Sequence, residues 1–187
     1  MYKMTVDIST RSYYENNICL DARNGNLKGL QNTIENHGLN VNCQDDFGRT
    51  PLSYAAEQNH FNVTEYLVNK GANLNIMDLD GRTPLFYPVI YGHFEMIKFL
   101  VGHGTDLSIK DQFGRTLISC ASERGHLDVV KFLVGKGVDI DARDTIGRTP
   151  YSYAIEGGHS EVVQVLFQNT KRLTKTEMLK ARFSSIW

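Results

Sequence analysis

The sequence predicts an all-α solenoid: helix–turn–helix units stacked side by side and joined by short β-hairpin or turn fingers. Three observations carry this expectation. The triplet Gly-Arg-Thr recurs at residues 48, 81, 114 and 147, a period of 33. Each triplet leads into a helix start, as in "GRTPLSYAAE". Each then has a second run, one turn further on, with apolar residues at helical spacing. Self-similarity at such a period marks units that cannot bury an apolar face alone and do so by stacking.

The elements follow in chain order. Residues 1–11 form an N-terminal segment, and a degenerate first unit spans about 12–44. Ser12 and Glu15 read as a capping box ahead of Ile18 and Ala22. A second helix turns Leu27, Leu30 and Ile34 inward and stops before Gly38. Four regular units occupy 45–77, 78–110, 111–143 and 144–169. In them Thr50-Pro51, Thr83-Pro84 and Thr149-Pro150 read as an N-cap followed by proline at the first helical position, while Thr116 precedes Leu117.

The first helices end near Asn59, Gly92, Gly125 and Gly158, where left-handed backbone comes easily. The second helices carry Val63, Tyr66 and Leu67, then Met96, Phe99 and Leu100, then Val129, Phe132 and Leu133, then Val162, Val165 and Leu166. Gly71, Gly104 and Gly137 close the first three. Links such as "ANLNIMDLDG" are too polar and short for a third helix and read as fingers ending in an Asp-x-x-Gly turn. Pro88 falls at the fifth position of a helix capped by Thr83, where an interior proline costs roughly 3 kcal/mol, so a tolerated kink is expected.

Thr170 replaces the closing glycine of the last unit, and residues 170–187 read as a basic amphipathic capping helix. Thr174 and Glu177 form a capping box, with Leu173 and Met178 as its staple. Leu179, Phe183 and Ile186 share one face and would cover Val163, Val165 and Phe167 of a unit with no successor. Lys171, Arg172, Lys175, Lys180 and Arg182 against Glu177 give the segment 168–187 a net charge of +4.

Composition narrows the function. The chain has 187 residues, 41% of them hydrophobic, with 20 Lys+Arg against 21 Asp+Glu. No net field draws it to nucleic acid or an anionic membrane. "MYKMTVDISTRSYYENN" lacks the apolar core of a signal peptide, and nowhere do 18 apolar residues run together. Cys19, Cys43 and Cys120 are an odd count without metal spacing, which fits reduced thiols and a cytoplasmic location.

Thr50-Pro51-Leu52-Ser53-Tyr54-Ala55 resembles the T-P-L-H-x-A signature of ankyrin repeats, and the resemblance runs from about Ser12 to Phe167 as five units. The chain departs from the signature at the histidine, which is Ser53, Phe86, Ser119 and Ser152 here. The resemblance implies a non-catalytic module binding another protein through a concave groove lined by finger tips and first helices. Carried over unit by unit, the contact positions are Gln44, Asp46, Phe47, Glu57 and Gln58; Met77, Leu79, Asp80, Ile90 and Tyr91; Lys110, Gln112, Phe113, Glu123 and Arg124; and Arg143, Thr145, Ile146 and Glu156.

Chemistry is not expected. His60, His93, His126 and His159 recur one unit apart, about 10 Å between packed helices, whereas ligands of one zinc lie about 2 Å from it. Hydrogen bonds tying adjacent units are the expected role. Cys120 and His126 lack a third orienting group, and no phosphate loop matches. Enzyme, cofactor and metal are therefore all excluded from the expectation. Arg49, Arg82, Arg115 and Arg148 each follow an aspartate by four residues and should pair with Asp45, Asp78, Asp111 and Asp144 as exposed ion pairs.

What varies between units is the finger tip. Phe47, Met77, Leu79, Phe113 and Ile146 are apolar at turns that favour Asn, Asp or Gly. Such residues mark partner sites when exposed, and serve only the fold when they turn back on their own finger. A rival reading is a peripheral contact of the basic tail with an anionic membrane or nucleic acid.

Overall fold

A threonine followed by proline fixes where a repeat's first helix begins, because the hydroxyl accepts an orphan amide and proline's missing donor is lost at no cost. In the computed structural model, which describes residues 17–170, the Thr50 side chain accepts from the Ser53 amide. Thr116 does the same for Ser119, and Thr149 for Ser152. The hydroxyls of each pair also meet, at 3.0, 2.9 and 3.1 Å. Serine thus takes over, within the cap itself, the hydrogen bonding left open by the missing signature histidine.

The chain divides into two units, one ending at Tyr87 and the other beginning at Pro88. The first contains α1 (residues 17–24), α2 (Leu27–His37), α3 (Pro51–Glu57) and α4 (Phe61–Asn69). Helix α5 (Phe86–Tyr91) runs across the division. The second contains α6 (Phe94–Gly102), α7 (Leu117–Arg124), α8 (Leu127–Gly135), α9 (Pro150–Glu156) and α10 (Ser160–Asn169). Within the first unit α3 packs on α4. Within the second, α7 packs on α8 and α9, and α10 on α8 and α9. Within the second unit first helices therefore stack on first helices and second on second, the all-α repeat arrangement expected from the period. The fingers between helix pairs are turns, with an isolated antiparallel bridge between Lys110 and Thr116.

Burial follows the helical stripe with one correction. Val63, Leu67, Met96, Leu100, Val129, Leu133, Val162 and Leu166 are buried as expected. Tyr66, Phe99, Phe132 and Val165 are only half-buried, and Thr64, Ile97 and Val130 are buried in their place. Helix α8, for example, lies between α6 and α10 and so needs two inward stripes rather than one. Each fully buried Leu or Ile contributes about 1.5–3 kcal/mol. In the degenerate first unit Ile18, Ala22 and Leu30 are buried, while Leu27 and Ile34 are half-buried.

Pro88 is also corrected. Helix α5 begins at Phe86, two residues later than its counterparts, so Pro88 is its third residue and not its fifth. The first residues of a helix donate to no intrahelical partner, so proline there breaks nothing. The delay has a cause. Phe86 stands where the other units have serine, no cap forms, and the Thr83 hydroxyl is buried without a hydrogen bond. The Phe86 amide turns instead to the Thr83 carbonyl at 3.0 Å.

The expected box at Ser12 and Glu15 and the capping helix of residues 171–187 lie outside the described residues. No helix among the described residues is long and apolar enough to cross a membrane.

Candidate partner-binding surface

Each finger is built by one aspartate. Asp45 Oδ1 accepts from the Phe47 and Arg49 amides at 3.0 and 2.9 Å. Asp78, Asp111 and Asp144 do the same for their own fingers. The short side chain mimics a backbone carbonyl and locks the turn. The second oxygen is held from the first helix. Tyr54 donates to Asp45 Oδ2 at 2.6 Å and Tyr153 to Asp144 Oδ2 at 2.8 Å, and Tyr87 makes the same bond to Asp78. The third regular unit has Cys120 at the tyrosine's position, and there Arg115 clasps Asp111 Oδ2 through Nε and Nη2 at 2.9 and 2.8 Å.

Electrostatics record this lock. Burial and the bond to Asp45 push the Tyr54 hydroxyl up to about 12, and Tyr87 and Tyr153 are raised for the same two reasons. Burial would raise the Asp144 carboxyl. The hydrogen bonds from Tyr153, from the Arg148 amide and guanidinium and from the Ile146 amide outweigh it and hold the group down at about 2.

The arginine ladder departs from the expected pairing. Arg115 and Arg148 pair with Asp111 and Asp144, but these aspartates are buried, not exposed. Arg49 pairs with Glu57 at 2.6 Å, and Arg82 with Asp80 at 3.3 Å. Asp45 and Asp78 give Oδ2 to tyrosine, whereas Asp144 Oδ2 accepts from both Tyr153 and Arg148. Glu123 and Glu156 also receive guanidinium nitrogens, at 3.3 and 3.5 Å from Arg115 and Arg148. Four of the carboxylates expected at the contact surface (Glu57, Asp80, Glu123 and Glu156) are thus engaged within the chain. The signal was a glutamate eight residues after three of the four arginines.

The histidines bind the units. His60 Nε2 donates to the Arg23 carbonyl at 3.0 Å, His126 to Ile90 at 2.9 Å and His159 to Glu123 at 3.0 Å. Each ring lies against the glycine ending the previous first helix. A Cβ on Gly92 or Gly125, both at positive φ, would stand 2.7 or 2.4 Å from the following histidine's Nδ1. Among the described residues no cluster of His, Cys, Asp and Glu could hold a metal. Cys19, Cys43 and Cys120 are buried thiols outside any disulfide, and hydrogen bonding with Cys43 followed by burial raises the Cys19 thiol.

In the first unit, the Leu79 amide donates to the Phe47 carbonyl at 3.0 Å, and Gln44 reaches the Met77 carbonyl at 3.0 Å. This brings Phe47, Leu79 and Met77 onto neighbouring fingers, 67, 72 and 47% exposed. Asp46 and Gln58 are exposed beside them, and Asp80 is half-buried. In the second unit the Thr145 amide donates to the Phe113 carbonyl at 2.9 Å, and Phe113 and Ile146 are 50 and 73% exposed. Phe47 thus stands off its finger, whereas the Phe113 ring, half exposed, has the guanidinium of Arg115 from its own finger 5.4 Å over it. Lys110, Gln112, Arg124, Arg143, Thr145 and Glu156 are exposed. Tyr91 is exposed and stacks on His93 at 5.9 Å, whereas Ile90 and Glu123 are half-buried.

Comparison with known proteins agrees with this architecture. The chain shares 49% identity over 47 residues with acyl-CoA-binding domain-containing protein 1 of Arabidopsis thaliana, 25% of this chain and 14% of that protein. It shares 38% over 61 residues with a protein named as an ankyrin repeat protein in Rickettsia bellii, 30% of this chain and 35% of that one. It shares 39% over 59 residues with acyl-CoA-binding domain-containing protein 2 of Arabidopsis thaliana, 29% of this chain and 16% of that protein. The chain thus spans about a third or less of these relatives. The family description "Ankyrin repeats (3 copies)" matches residues 18–111 and 101–177, covering the helix pairs, the fingers and the histidine ties; the chain belongs to the ankyrin-repeat family.

Proposed function

We propose that this chain is a non-catalytic module that binds another protein through its finger tips and the adjoining ends of its first helices. Ankyrin repeats are generally protein–protein interaction modules, so the class of function comes with the family. The finer reading rests on one observation: Phe47, Met77, Leu79, Phe113 and Ile146 stand exposed on finger turns. A finger needs its aspartate and glycine, not an apolar tip, so these side chains do nothing for the turn and cost solvation until a partner covers them. The polar contact set is the rest of the positions carried over from the sequence, among them Gln44, Asp46, Lys110, Gln112 and Arg143. Adaptor, inhibitor, assembly subunit and microbial effector are all roles such a surface serves. The buried thiols, outside any disulfide, fit a reducing cytoplasm. The acyl-CoA in two relatives' names belongs to those proteins.

The test is substitution at the tips. Phe47→Ser with Leu79→Ser, and separately Ile146→Ser, should leave the helical signal and Tm unchanged and weaken a cross-linked partner by tenfold or more, about 1.4 kcal/mol. Undiminished binding by both variants would refute the reading.

A further inference from the structure

In the first unit the Arg49 guanidinium lies 3.9 Å from the ring centre of Tyr54 and 4.0 Å from that of Tyr87. Two rings at that distance flank the planar cation, one from its own repeat and one from the next. Its Nη2 bonds Glu57 at 2.6 Å. The same residue in the last repeat has only half of this arrangement. Arg148 lies 4.4 Å from Tyr153, and its nitrogens are spent on Asp144, the Tyr153 hydroxyl and Glu156. Among the described residues no second ring covers it. Its side chain is 36% exposed against 16% for Arg49.

The space beside it is shaped. A cleft of about 280 Å³ is lined by Phe113, Arg115, Asp144, Thr145, Ile146 and Arg148. Its lining joins the two apolar finger tips to guanidinium groups whose edges are already hydrogen-bonded. A guanidinium with its edges used still attracts through its face, and an aromatic ring is what binds there. On the fingers that line the cleft, Lys110 and Arg143 make no ion pair among the described residues, and Lys110 Nζ sits 3.3 Å from the Arg143 carbonyl.

We propose that this cleft takes an aromatic side chain from an acidic segment of a partner protein, the ring completing the stack on Arg148 and the flanking carboxylates meeting Lys110 and Arg143. This rests on the protein-binding reading above and names the partner's chemistry. The chain's own residues 171–187 contain Phe183 and Trp187, but their net basic charge opposes the same cations. A partner segment of opposite sign is the occupant the charges favour.

The probe is the full chain titrated with acetyl-Glu-Glu-Tyr-Glu-Glu-amide and followed by nitrogen–proton NMR. Ring-current shifts are expected at Arg148 Nε–H and at the Thr145 and Ile146 amides. Affinity should be about tenfold above that of the alanine-for-tyrosine peptide, the range of a desolvated cation–π contact. The lysine-for-glutamate peptide should bind more weakly still. Arg148→Lys should erase the tyrosine advantage while retaining the preference for glutamate. Ile146→Ser, at an exposed tip, should weaken binding without altering Tm. Equal affinity for the tyrosine and alanine peptides, no shift at Arg148, or contacts from Phe183 or Trp187 to Arg148 in the free chain would each overturn the proposal. A natural partner lost by serine at Phe47 and Leu79 but held equally by Arg148→Lys would sink this inference alone and leave the protein-binding reading standing.

Discussion

Tyr153 donates its hydroxyl to Asp144 Oδ2 at 2.8 Å, and that bond joins the last finger to the last first helix beside those of Arg148 to the Tyr153 hydroxyl and Glu156. Asp144 Oδ1 meanwhile holds the Ile146 and Arg148 amides. Exposed tips such as Ile146 can be held in place only because the residue behind them is anchored twice.

Tyr153→Phe removes this anchor and the acceptor of Arg148 Nη2, and keeps the ring under Arg148. A hydrogen bond to a charged, buried group is worth about 1.5–3 kcal/mol, so Tm should fall while helix content stays. Amide exchange at Ile146 and Arg148 should quicken more than at α7. Uniform quickening across the second unit would mean that the bond supports the stack in general and not the finger.

Acid should act through the same carboxylate. Its folded value of about 2 lies below the ordinary 3.8. The stability it contributes is therefore complete above about pH 3.8 and is lost progressively as pH falls toward 2. Asp144→Asn keeps an acceptor for the two amides but presents an NH2 group to Tyr153 and Arg148. The variant should be less stable at neutral pH and should show a shallower loss of Tm between pH 4 and 2. Parallel curves for the two proteins would contradict the assignment.

Gly125 and Gly158 separate two reasons for glycine. Both have positive φ, at 72° and 71°. Only at Gly125 would a Cβ meet a neighbour, His159 Nδ1 at 2.4 Å, while nothing lies within 4 Å of one on Gly158. Gly158→Ala should cost about 1–2 kcal/mol, the left-handed penalty alone. Gly125→Ala should cost about 1 kcal/mol more, since His159 must shift off the Glu123 carbonyl. Equal costs would show that the histidine tie contributes nothing.

Much of this was legible in the sequence because it is periodic. The caps at Thr50, Thr116 and Thr149, the left-handed ends at Gly92 and Gly125, the histidine ties and the apolar finger tips all follow from a feature repeated every 33 residues. What escaped was decided by one unit's exception or by how donors share an oxygen. Phe86 removed a cap and slid the start of α5, which made Pro88 harmless. Tyr54 holds Asp45 while Arg49 pairs with Glu57, yet Asp144 Oδ2 takes both Tyr153 and Arg148. Spacing places residues on the same turn; it does not say which donors an oxygen takes.

Pro88→Ala checks that account. With Pro88 at the third position of α5, the substitution frees no interior bond and gives up proline's restriction of the unfolded chain. Tm should stay level or fall by the equivalent of about 0.4–1 kcal/mol. A clear rise would restore the picture of an interior proline kink.

The central claim is that the finger tips are where a partner sits, and site-specific photo-cross-linking tests it most directly. A photoreactive phenylalanine analogue placed at Phe47, Leu79, Phe113 and Ile146 would be compared with the same group at Glu65 and Lys131, exposed positions on α4 and α8. In extract of the native cell, the four tip positions should give the same discrete protein adduct and the two helix positions should not. Adducts formed equally from Glu65 and Lys131, or none from the tips, would contradict the account.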